Sequence, residues 1–224
     1  MRTVQNKWLD SAVKTYLDAY GSTTAPLVYE VGSRDGRDGV ELAQRISDGQ
    51  IDWEKIVLFE CNPDQQQVIR KSYPQATLIT EAISDKKGTT DFMVIHGDQN
   101  MVGSSTMNTK RNDTWIKETT TIKVPSRRLD DVIKSLGHDN TDIDVMKIDI
   151  EGYTYEALLS LGKYLRNARI FHLETEPEGC ARKYTNLDVS LFMQENGYIC
   201  TALENEWGDS IQDQVWIRQG ERNV

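Results

Sequence analysis

The run KIDIEG (147–152) carries ionisable side chains at alternate positions of an otherwise apolar segment. Side chains of an extended strand alternate between its two faces, so Lys147, Asp149 and Glu151 share one face. Ionic groups in a buried strand are costly unless they are paired. Because the carboxylates stand at the end of the segment, we interpret them as part of a reactive site. A structural lysine–carboxylate pair followed by a helix cap is the alternative.

A glycine and a carboxylate after two earlier apolar runs indicate a nucleotide site. Gly32 directly follows LVYEV, where the missing Cβ permits a tight turn and close backbone approach to a ligand. Glu60 ends the next run, KIVLFE, and an acidic residue at this place of a dinucleotide fold hydrogen-bonds ribose hydroxyls. The alternative for Glu60 is a carboxylate that interacts with the next helix dipole. The glycine spacing is GxxxG, not the GxGxxG that cradles a pyrophosphate.

The segment RIFHLET (169–175) supplies two further candidates. His172 stands mid-segment, and we interpret it as a core histidine with satisfied hydrogen bonds. Glu174 lies nearer the end and is the stronger site candidate. Asp149 and Glu174 together offer the oxygen ligands that Mg²⁺ prefers, so a divalent cation at these two residues is a hypothesis for the chemistry.

The segments that must position these residues alternate between strand-like and helix-like patterns. Short apolar runs predict strands at 27–31, 55–60, 77–80, 144–150 and 169–175, with closing strands YICTAL and QVWIR. Amphipathic patterns predict helices at 3–20, 40–46, 62–73, 126–137, 154–161 and 186–197, two of them capped by Asn62 and Asn186. This alternation predicts a doubly wound parallel α/β sheet with helices on both faces. Ligands of such sheets bind beyond the carboxyl ends of the strands.

One stretch, 89–125, departs from this alternation. Two strand-like runs flank a polar, irregular loop, which predicts a β-rich insertion beside the sheet. The loop at 96–114 is expected to be mobile and to form part of the substrate mouth. We divide the chain into an N-terminal helix and linker, 1–24, and one domain, 25–224. Acceptor choice is assigned to the insertion and to the loop 176–187.

Composition excludes several classes of protein. The chain has 224 residues and a net charge of −9, which argues against nucleic acid and anionic membrane surfaces as partners. Three cysteines without a CxxC pair argue against a disulfide framework or a zinc ribbon. There is no secretory apolar region at the N-terminus and no run near the roughly 20 apolar residues that span a bilayer. We therefore expect a soluble cytoplasmic protein, and nothing in the sequence indicates its oligomeric state.

Five segments, in this order, resemble the FkbM family of S-adenosylmethionine-dependent methyltransferases: VYEVGSRDG, LFECNP, TEAISDKKG, RRLDDVI and VMKIDIEGYTYEALLSL. The resemblance spans roughly residues 28–203, and KIDIEG with its following helix is the most specific part. It departs from the family pattern at Ser33-Arg34, where small or amide residues are commoner. It implies a Rossmann-like class I methyltransferase fold, a mostly parallel seven-stranded sheet whose last strand is antiparallel.

The resemblance also implies S-adenosylmethionine as the methyl donor and a hydroxyl of a sugar or small natural product as the acceptor. Carried over by position, the residues beside the methionine part are Glu30, Gly32 and Ser33. Glu60 would hold the ribose, and the adenine side would be formed by Ala82, Ile83 and Ser84. The reaction centre would be lined by Asp149, Glu151 and Gly152. The remaining cofactor-binding candidates belong to the same segments: Asp35, Cys61 and Asn62.

The expected mechanism follows from the chemistry of the donor. The sulfonium makes the methyl group an electrophile, so the protein must mainly align the acceptor oxygen with the methyl–sulfur bond. We predict that Asp149 is the base for the hydroxyl and that Lys147 tunes it electrostatically.

Three other functions stay open at this point. A nicotinamide oxidoreductase is disfavoured by the missing GxGxxG. A non-catalytic adenosyl-binding module is disfavoured by the acidic strand ends. Methylation of a nucleic-acid ribose or cap is disfavoured by the net charge of −9. Lys110-Arg111 and Arg127-Arg128 would have to form a local positive rim for it, and solvated surface is the simpler interpretation of those pairs.

Overall fold

The computed structural model of the protein describes residues 7–97, 105–107, 116–176, 183–205 and 212–220. Its strands are β1 Val28–Val31, β2 Ile56–Phe59, β3 Thr77–Ile79, β4 Ala82–Ile83, β5 Gly88–Ile95, β6 Thr119–Arg127, β7 Ile143–Ile148, β8 Ala168–Thr175, β9 Tyr198–Asn205 and β10 Gln212–Arg218. Its α-helices are α1 Asp10–Tyr20, α2 Arg37–Ile46, α3 Pro63–Ser72, α4 Leu129–Ser135, α5 Thr154–Leu161 and α6 Asn186–Glu195. Short 3₁₀ turns lie at Lys7–Leu9, Trp53–Lys55 and Gly162–Asn167.

Seven strands form the main sheet, in the order β3-β2-β1-β7-β8-β10-β9. The pairs among β3, β2, β1, β7 and β8 are parallel, whereas β10 runs antiparallel to both β8 and β9. The predicted mostly parallel sheet with an antiparallel last strand is therefore confirmed. The chain leaves β1 toward β2 on one side and returns to β7 on the other. The crevice that binds ligands in doubly wound sheets lies at this reversal.

Helices cover both faces of the main sheet, as the alternating pattern predicts. Helices α1, α2 and α3 pack on one face, over a core that includes Tyr16, Leu42 and Ile69. Helices α4, α5 and α6 pack on the other face, over a core that includes Val132 and Leu158. Strands β1, β2 and β7 are buried along their whole length, because helices cover both of their faces.

The β-rich segment at 89–125 forms most of a second, three-stranded sheet, in the order β4-β6-β5. Strands β5 and β6 pair antiparallel from Gly88↔Ser126 to Ile95↔Thr119. Strand β4, in a segment for which the sequence patterns predict neither strand nor helix, pairs parallel with β6. The expected helix at 126–137 begins only at Leu129, because its first residues continue β6 and complete its pairing with β4.

Further element boundaries differ from prediction, and two of them concern residues named in the sequence analysis. Strand β7 ends at Ile148 and not at residue 150, so Asp149 follows the strand. Helix α6 is capped by Thr185 and not by Asn186. The Thr185 hydroxyl accepts from the Asp188 N–H while the Asp188 carboxylate accepts from the Thr185 N–H, a reciprocal capping box that Asn186 does not form.

Several helix ends confirm their sequence signals. Helix α1 ends at Gly21, and α3 begins with Pro63 after Asn62, whose side chain accepts from the Asp64 N–H. Cys61 and Cys200 are free thiols, and Cys180 lies outside the described residues. Within the described part of the chain, every helix is too short or too polar to cross a bilayer.

Candidate active site

A pocket lies at the carboxyl ends of β1, β2 and β7, with the small sheet over it. Eight of the predicted site residues line it: Gly32, Glu60, Cys61, Asn62, Ala82, Ile83, Asp149 and Glu151. Besides the apolar strand-end residues Val31, Phe59 and Ile150, six further lining residues were not singled out as site residues by the sequence: Arg34, Gln65, Glu81, Phe92, Ser105 and Met107. Most of these six come from helix α3 or from the small sheet and its loop, which the strand-end argument did not consider.

Gly32 is required by a contact with the chain itself. Its φ is +88°, a left-handed conformation that favours glycine. A Cβ at this position would lie 1.8 Å from the backbone oxygen of Asp149. The missing Cβ of Gly32 therefore permits a close approach between the ends of β1 and β7, which brings Asp149 to the pocket, and close approach to a ligand stays a prediction.

Glu60 joins the two loops that flank the pocket. One carboxylate oxygen accepts from the Arg34 N–H at 2.8 Å and the other accepts from the Asn62 N–H at 2.7 Å. Burial raises the pKa of Glu60 from 4.5 to about 7, although these backbone N–H groups oppose the shift. A carboxylate has about four lone-pair sites, so Glu60 retains acceptor capacity for a ligand hydroxyl.

Lys147 lies beneath the pocket between two carboxylates. Its Nζ is 2.7 Å from Asp149 Oδ2 and 3.3 Å from Asp38 Oδ2. Burial lowers the pKa of Lys147, but the charges of Asp149, Asp38 and Glu30 outweigh it and hold that pKa well above its usual value. The lysine–carboxylate pair, the alternative interpretation of the run KIDIEG, is therefore present, and it also places Lys147 where it could tune Asp149. Asp38 was missed because it stands in the first turn of α2, where an acidic residue is ordinary.

Glu30 is buried below the pocket wall. Its Oε2 accepts from the Gly39 N–H at 2.9 Å, and Lys147 is its register partner on β7. Burial, reinforced by the charge of Asp38, raises the pKa of Glu30 well above its usual value. Glu30 therefore contributes to the site through Lys147 and α2, and it does not line the pocket.

Four other predicted cofactor residues also stand outside the pocket lining: Ser33, Asp35, Ser84 and Gly152. The Ser33 hydroxyl donates to the Glu30 carbonyl and accepts from the Phe59 N–H. Asp35 accepts from the Arg37 N–H at 3.2 Å, and the Ser84 N–H donates to the Arg127 carbonyl. These contacts shape the loops around the pocket, and direct binding by these residues stays a prediction.

Three carboxylates meet beside the pocket, near the carboxyl ends of β7 and β8. Oxygen atoms of Asp149, Glu151 and Glu174 all lie within 4.8 Å of one another. Burial, and then the charges of Asp149, Glu151 and Asp213, raise the pKa of Glu174 well above its usual value. Carboxylates this close disfavour simultaneous ionisation, so the cluster can hold a proton or a cation.

His172 is a core residue, as expected, but its hydrogen bonds are not satisfied. The side chain is 1% exposed, and neither ring nitrogen has a hydrogen-bond partner among the described residues. Its Nε2 lies 3.7 Å from Asp213 Oδ1, beyond hydrogen-bonding distance.

The small sheet closes the apolar end of the pocket. Phe92 and Met107 line the pocket and pack together with Ala82 in the core of that sheet. Of the loop predicted to be mobile, the structure describes 96–97 and 105–107, and the rest lies outside the described residues. Ser105 and Met107 line the pocket, which places part of this loop beside the pocket.

The basic pairs are not a free positive rim in the described residues. The Arg128 guanidinium donates to the carbonyls of Asp85 and Ser160 and to the carboxylate of Asp130. Arg127 donates to the Asp131 carbonyl. The interpretation of this pair as solvated surface is therefore wrong, because both guanidinium groups tie elements together. Lys110-Arg111 lies outside the described residues.

The strand order and the pocket at the β1–β7 reversal define the class, a Rossmann-like α/β methyltransferase fold. The family described as "Methyltransferase FkbM domain" matches residues 30–200. The chain belongs to this family of S-adenosylmethionine-dependent methyltransferases. Among curated protein sequences, none matches the chain.

One solved methyltransferase structure supports this class of fold, and a second is reported as a weaker similarity. The magnesium protoporphyrin IX methyltransferase of Synechocystis PCC 6803, with bound SAM, is 13% identical with a TM-score of 0.50, over 94% of this chain and 78% of the other. TrmK of M. capricolum, in complex with S-adenosyl-homocysteine, is 10% identical with a TM-score of 0.48, over 98% of this chain and 71% of the other. At these identities the likeness concerns the fold alone.

Proposed function

We propose that the protein transfers the methyl group of S-adenosylmethionine to a hydroxyl of a sugar or another small molecule. Family membership supports the methyl transfer. The observation that carries the choice of oxygen chemistry is the carboxylate of Asp149, which lines the pocket 2.7 Å from the ammonium of Lys147. A hydroxyl is a weak nucleophile while it keeps its proton, so its methylation benefits from a base at this place.

The pocket has two ends that suit the two parts of the donor. The apolar end, with Ile83, Phe92 and Met107, suits the adenine ring. The acidic end, with Asp149 and Glu151, suits the positive sulfonium. Glu60, which lines the pocket between the two loops, would accept hydrogen bonds from the ribose hydroxyls.

The proposed reaction is a direct displacement at the methyl carbon. The acceptor oxygen forms a bond to carbon while the carbon–sulfur bond breaks, and S-adenosylhomocysteine leaves as a neutral thioether. The hydroxyl proton passes to Asp149, which Lys147 holds in position. Most of the rate comes from holding the acceptor oxygen in line with the methyl–sulfur bond.

A second version of the mechanism places a divalent cation at the same carboxylates. Asp149, Glu151 and Glu174 offer oxygen ligands close to one another, and Glu174 Oε1 is buried without a hydrogen-bond partner among the described residues. This donor set fits Mg²⁺ or Ca²⁺. When bound, such an ion would acidify the acceptor hydroxyl.

For the acceptor we propose a small molecule or a glycan in the cytoplasm. The net charge of −9 disfavours a nucleic acid, and Arg127 and Arg128 are engaged by the chain itself. Neither observation bears on the oligomeric state.

The test is the substitution Asp149→Asn, assayed as S-adenosylhomocysteine formed with a panel of hydroxylated acceptors. The amide keeps the shape of the carboxylate but cannot take a proton, so turnover should fall by about 100- to 10,000-fold. Affinity for S-adenosylhomocysteine, which carries no sulfonium charge, should stay close to that of the wild type, and the protein should stay folded because Asp38 still pairs with Lys147. A lower melting temperature with near-normal turnover per folded molecule would show that Asp149 is structural. Loss of wild-type activity in EDTA, restored by Mg²⁺, would select the cation version.

A further inference from the structure

The segment 105–107 joins the two walls of the pocket by a pair of hydrogen bonds. The Thr106 hydroxyl donates to the Glu151 carbonyl at 3.0 Å. In the opposite direction, the Tyr153 hydroxyl donates to the Met107 carbonyl at 3.3 Å. Met107 belongs to the apolar wall and Glu151 to the acidic wall. The two bonds therefore cross the boundary between the small sheet and the loop that follows β7.

On the side of the small sheet, this segment is firmly held. The backbone N–H and carbonyl of Thr106 pair with the carbonyl and N–H of Met93, at 3.0 and 2.8 Å. The Ser105 hydroxyl accepts from the Ile95 N–H at 3.0 Å. Thr106 is 1% exposed, so its hydroxyl is shielded from water and the bond to Glu151 is not in competition with solvent. The segment thus moves with strand β5.

On the other side, the acceptor belongs to a stretch without regular structure. Strand β7 ends at Ile148 and helix α5 begins at Thr154. Glu151 has a φ of +52° and Gly152 a φ of +90°. A residue with a side chain persists in this left-handed region only when surrounding contacts enforce it. The Thr106 hydroxyl supplies such a contact directly at the carbonyl of Glu151.

We propose that Thr106 is a positioning residue for the donor: it fixes the carboxylate loop against the small sheet and so sets the spacing between the two pocket walls. Tyr153 acts with it through the second bond. The inference rests on the proposed function, in that the pocket takes S-adenosylmethionine. It goes beyond that function by assigning the shape of the donor site to a residue of the insertion that does not itself line the pocket.

The test compares Thr106→Val, which keeps the shape but removes the hydroxyl, with Thr106→Ser, which keeps the hydroxyl. The probes are S-adenosylmethionine and S-adenosylhomocysteine, measured by calorimetry and by dissociation rate. The valine variant should bind both about 3- to 10-fold more weakly, mainly through faster dissociation, the range for one lost buried hydrogen bond. The serine variant should bind like the wild type. Tyr153→Phe should weaken binding in the same direction, and the double variant Thr106→Val/Tyr153→Phe should lose less than the sum.

A control separates positioning from general destabilisation. Thr201→Val removes a hydroxyl bond to the Val215 carbonyl at the far edge of the main sheet, and should leave donor affinity unchanged whatever its effect on melting. Wild-type affinity in Thr106→Val, or equal weakening in Thr106→Ser, would overturn the inference alone. A wild-type protein that binds neither probe would instead overturn the proposed function, and the inference with it.

Discussion

Glu60 illustrates how one side chain can hold a site together and still serve a ligand. Its two oxygens accept from the N–H groups of Arg34 and Asn62, one from each loop beside the pocket. Burial raises its pKa to about 7, so its protonation state changes near neutral pH. Because a carboxylate accepts hydrogen bonds better than a carboxylic acid, the ribose-binding role that we propose for Glu60 would make donor affinity depend on pH.

We expect the affinity for S-adenosylhomocysteine to rise as pH increases toward about 7 and then to level off. Binding favours the ionised Glu60 and therefore releases a proton, which gives up to about a tenfold gain per pH unit below the pKa. Calorimetry at pH values from about 5.5 to about 8.5, roughly 1.5 units on either side of that pKa, measures this pH dependence of affinity. Glu60→Gln should show a flatter profile, and equal profiles in the two proteins would mean that Glu60 does not contact the donor.

In the ligand-free protein, the raised pKa of Glu60 makes folding stability fall as pH increases, whereas the expected donor affinity rises. The folded-state pKa of Glu60 is raised above 4.5, so protonated Glu60 contributes stability that is complete below pH 4.5. That stability is lost as pH rises through about 7. The free energy of unfolding of Glu60→Gln should therefore fall less over this interval than that of the wild type, as measured by urea denaturation.

At the scale of elements, Arg128 connects the small sheet to the main layer. It precedes α4, and its guanidinium donates to the carbonyl of Asp85 at 2.8 Å, beside the small sheet, and to that of Ser160 at 3.2 Å. Ser160 lies in the last turn of α5, where a cation also interacts favourably with the helix dipole. One planar side chain thus satisfies acceptors on two elements, which a lysine cannot do with the same geometry.

Arg128→Lys should lower the free energy of unfolding by about 1–3 kcal/mol, because it leaves partly buried carbonyl acceptors unpaired. Denaturant unfolding monitored by far-UV circular dichroism measures this. The control is Lys123→Gln, which removes an exposed ion pair with Asp91 on the small sheet. Such a pair contributes about 0–1 kcal/mol. Equal losses in the two variants would contradict the connecting role of Arg128.

At the scale of the whole molecule, the pocket that we propose for the donor lies between two separately packed units. The small sheet has its own core around Phe92 and Val124, distinct from the two cores of the main sheet. A ligand that fills the pocket contacts both sheets at once. Binding should therefore stabilise the folded protein as a unit, because the unfolded chain has no such pocket.

S-adenosylhomocysteine at about 100 times its dissociation constant should add about 2.7 kcal/mol of stability. For a chain of this size that corresponds to an increase in melting temperature of about 5–10 °C. Differential scanning fluorimetry measures the shift, and NAD at the same concentration is the control. A larger shift with NAD would contradict the assignment of the donor and revive a nicotinamide enzyme.

The sequence by itself determined the elements and the strand ends that carry Gly32, Glu60 and Asp149. Periodic patterns, caps and terminal glycines are local, so they predict most strands and helices to within a few residues, although they miss β4. The residues at the carboxyl ends of parallel strands converge at one edge whatever the loops do. The resemblance to the FkbM family added the donor and the seven-stranded sheet with its antiparallel last strand, which composition and periodicity alone do not specify.

Only the tertiary structure decided which distant residues meet at those strand ends. Asp38 reaches Lys147 because α2 packs on β1, the neighbour of β7 in the sheet, and Thr106 reaches Glu151 because the small sheet folds over the pocket. Gly32 is constrained by the Asp149 carbonyl for the same reason, since β1 and β7 are neighbours in space and far apart along the chain. These contacts depend on strand order and on the placement of an insertion, and local sequence patterns carry no information about either.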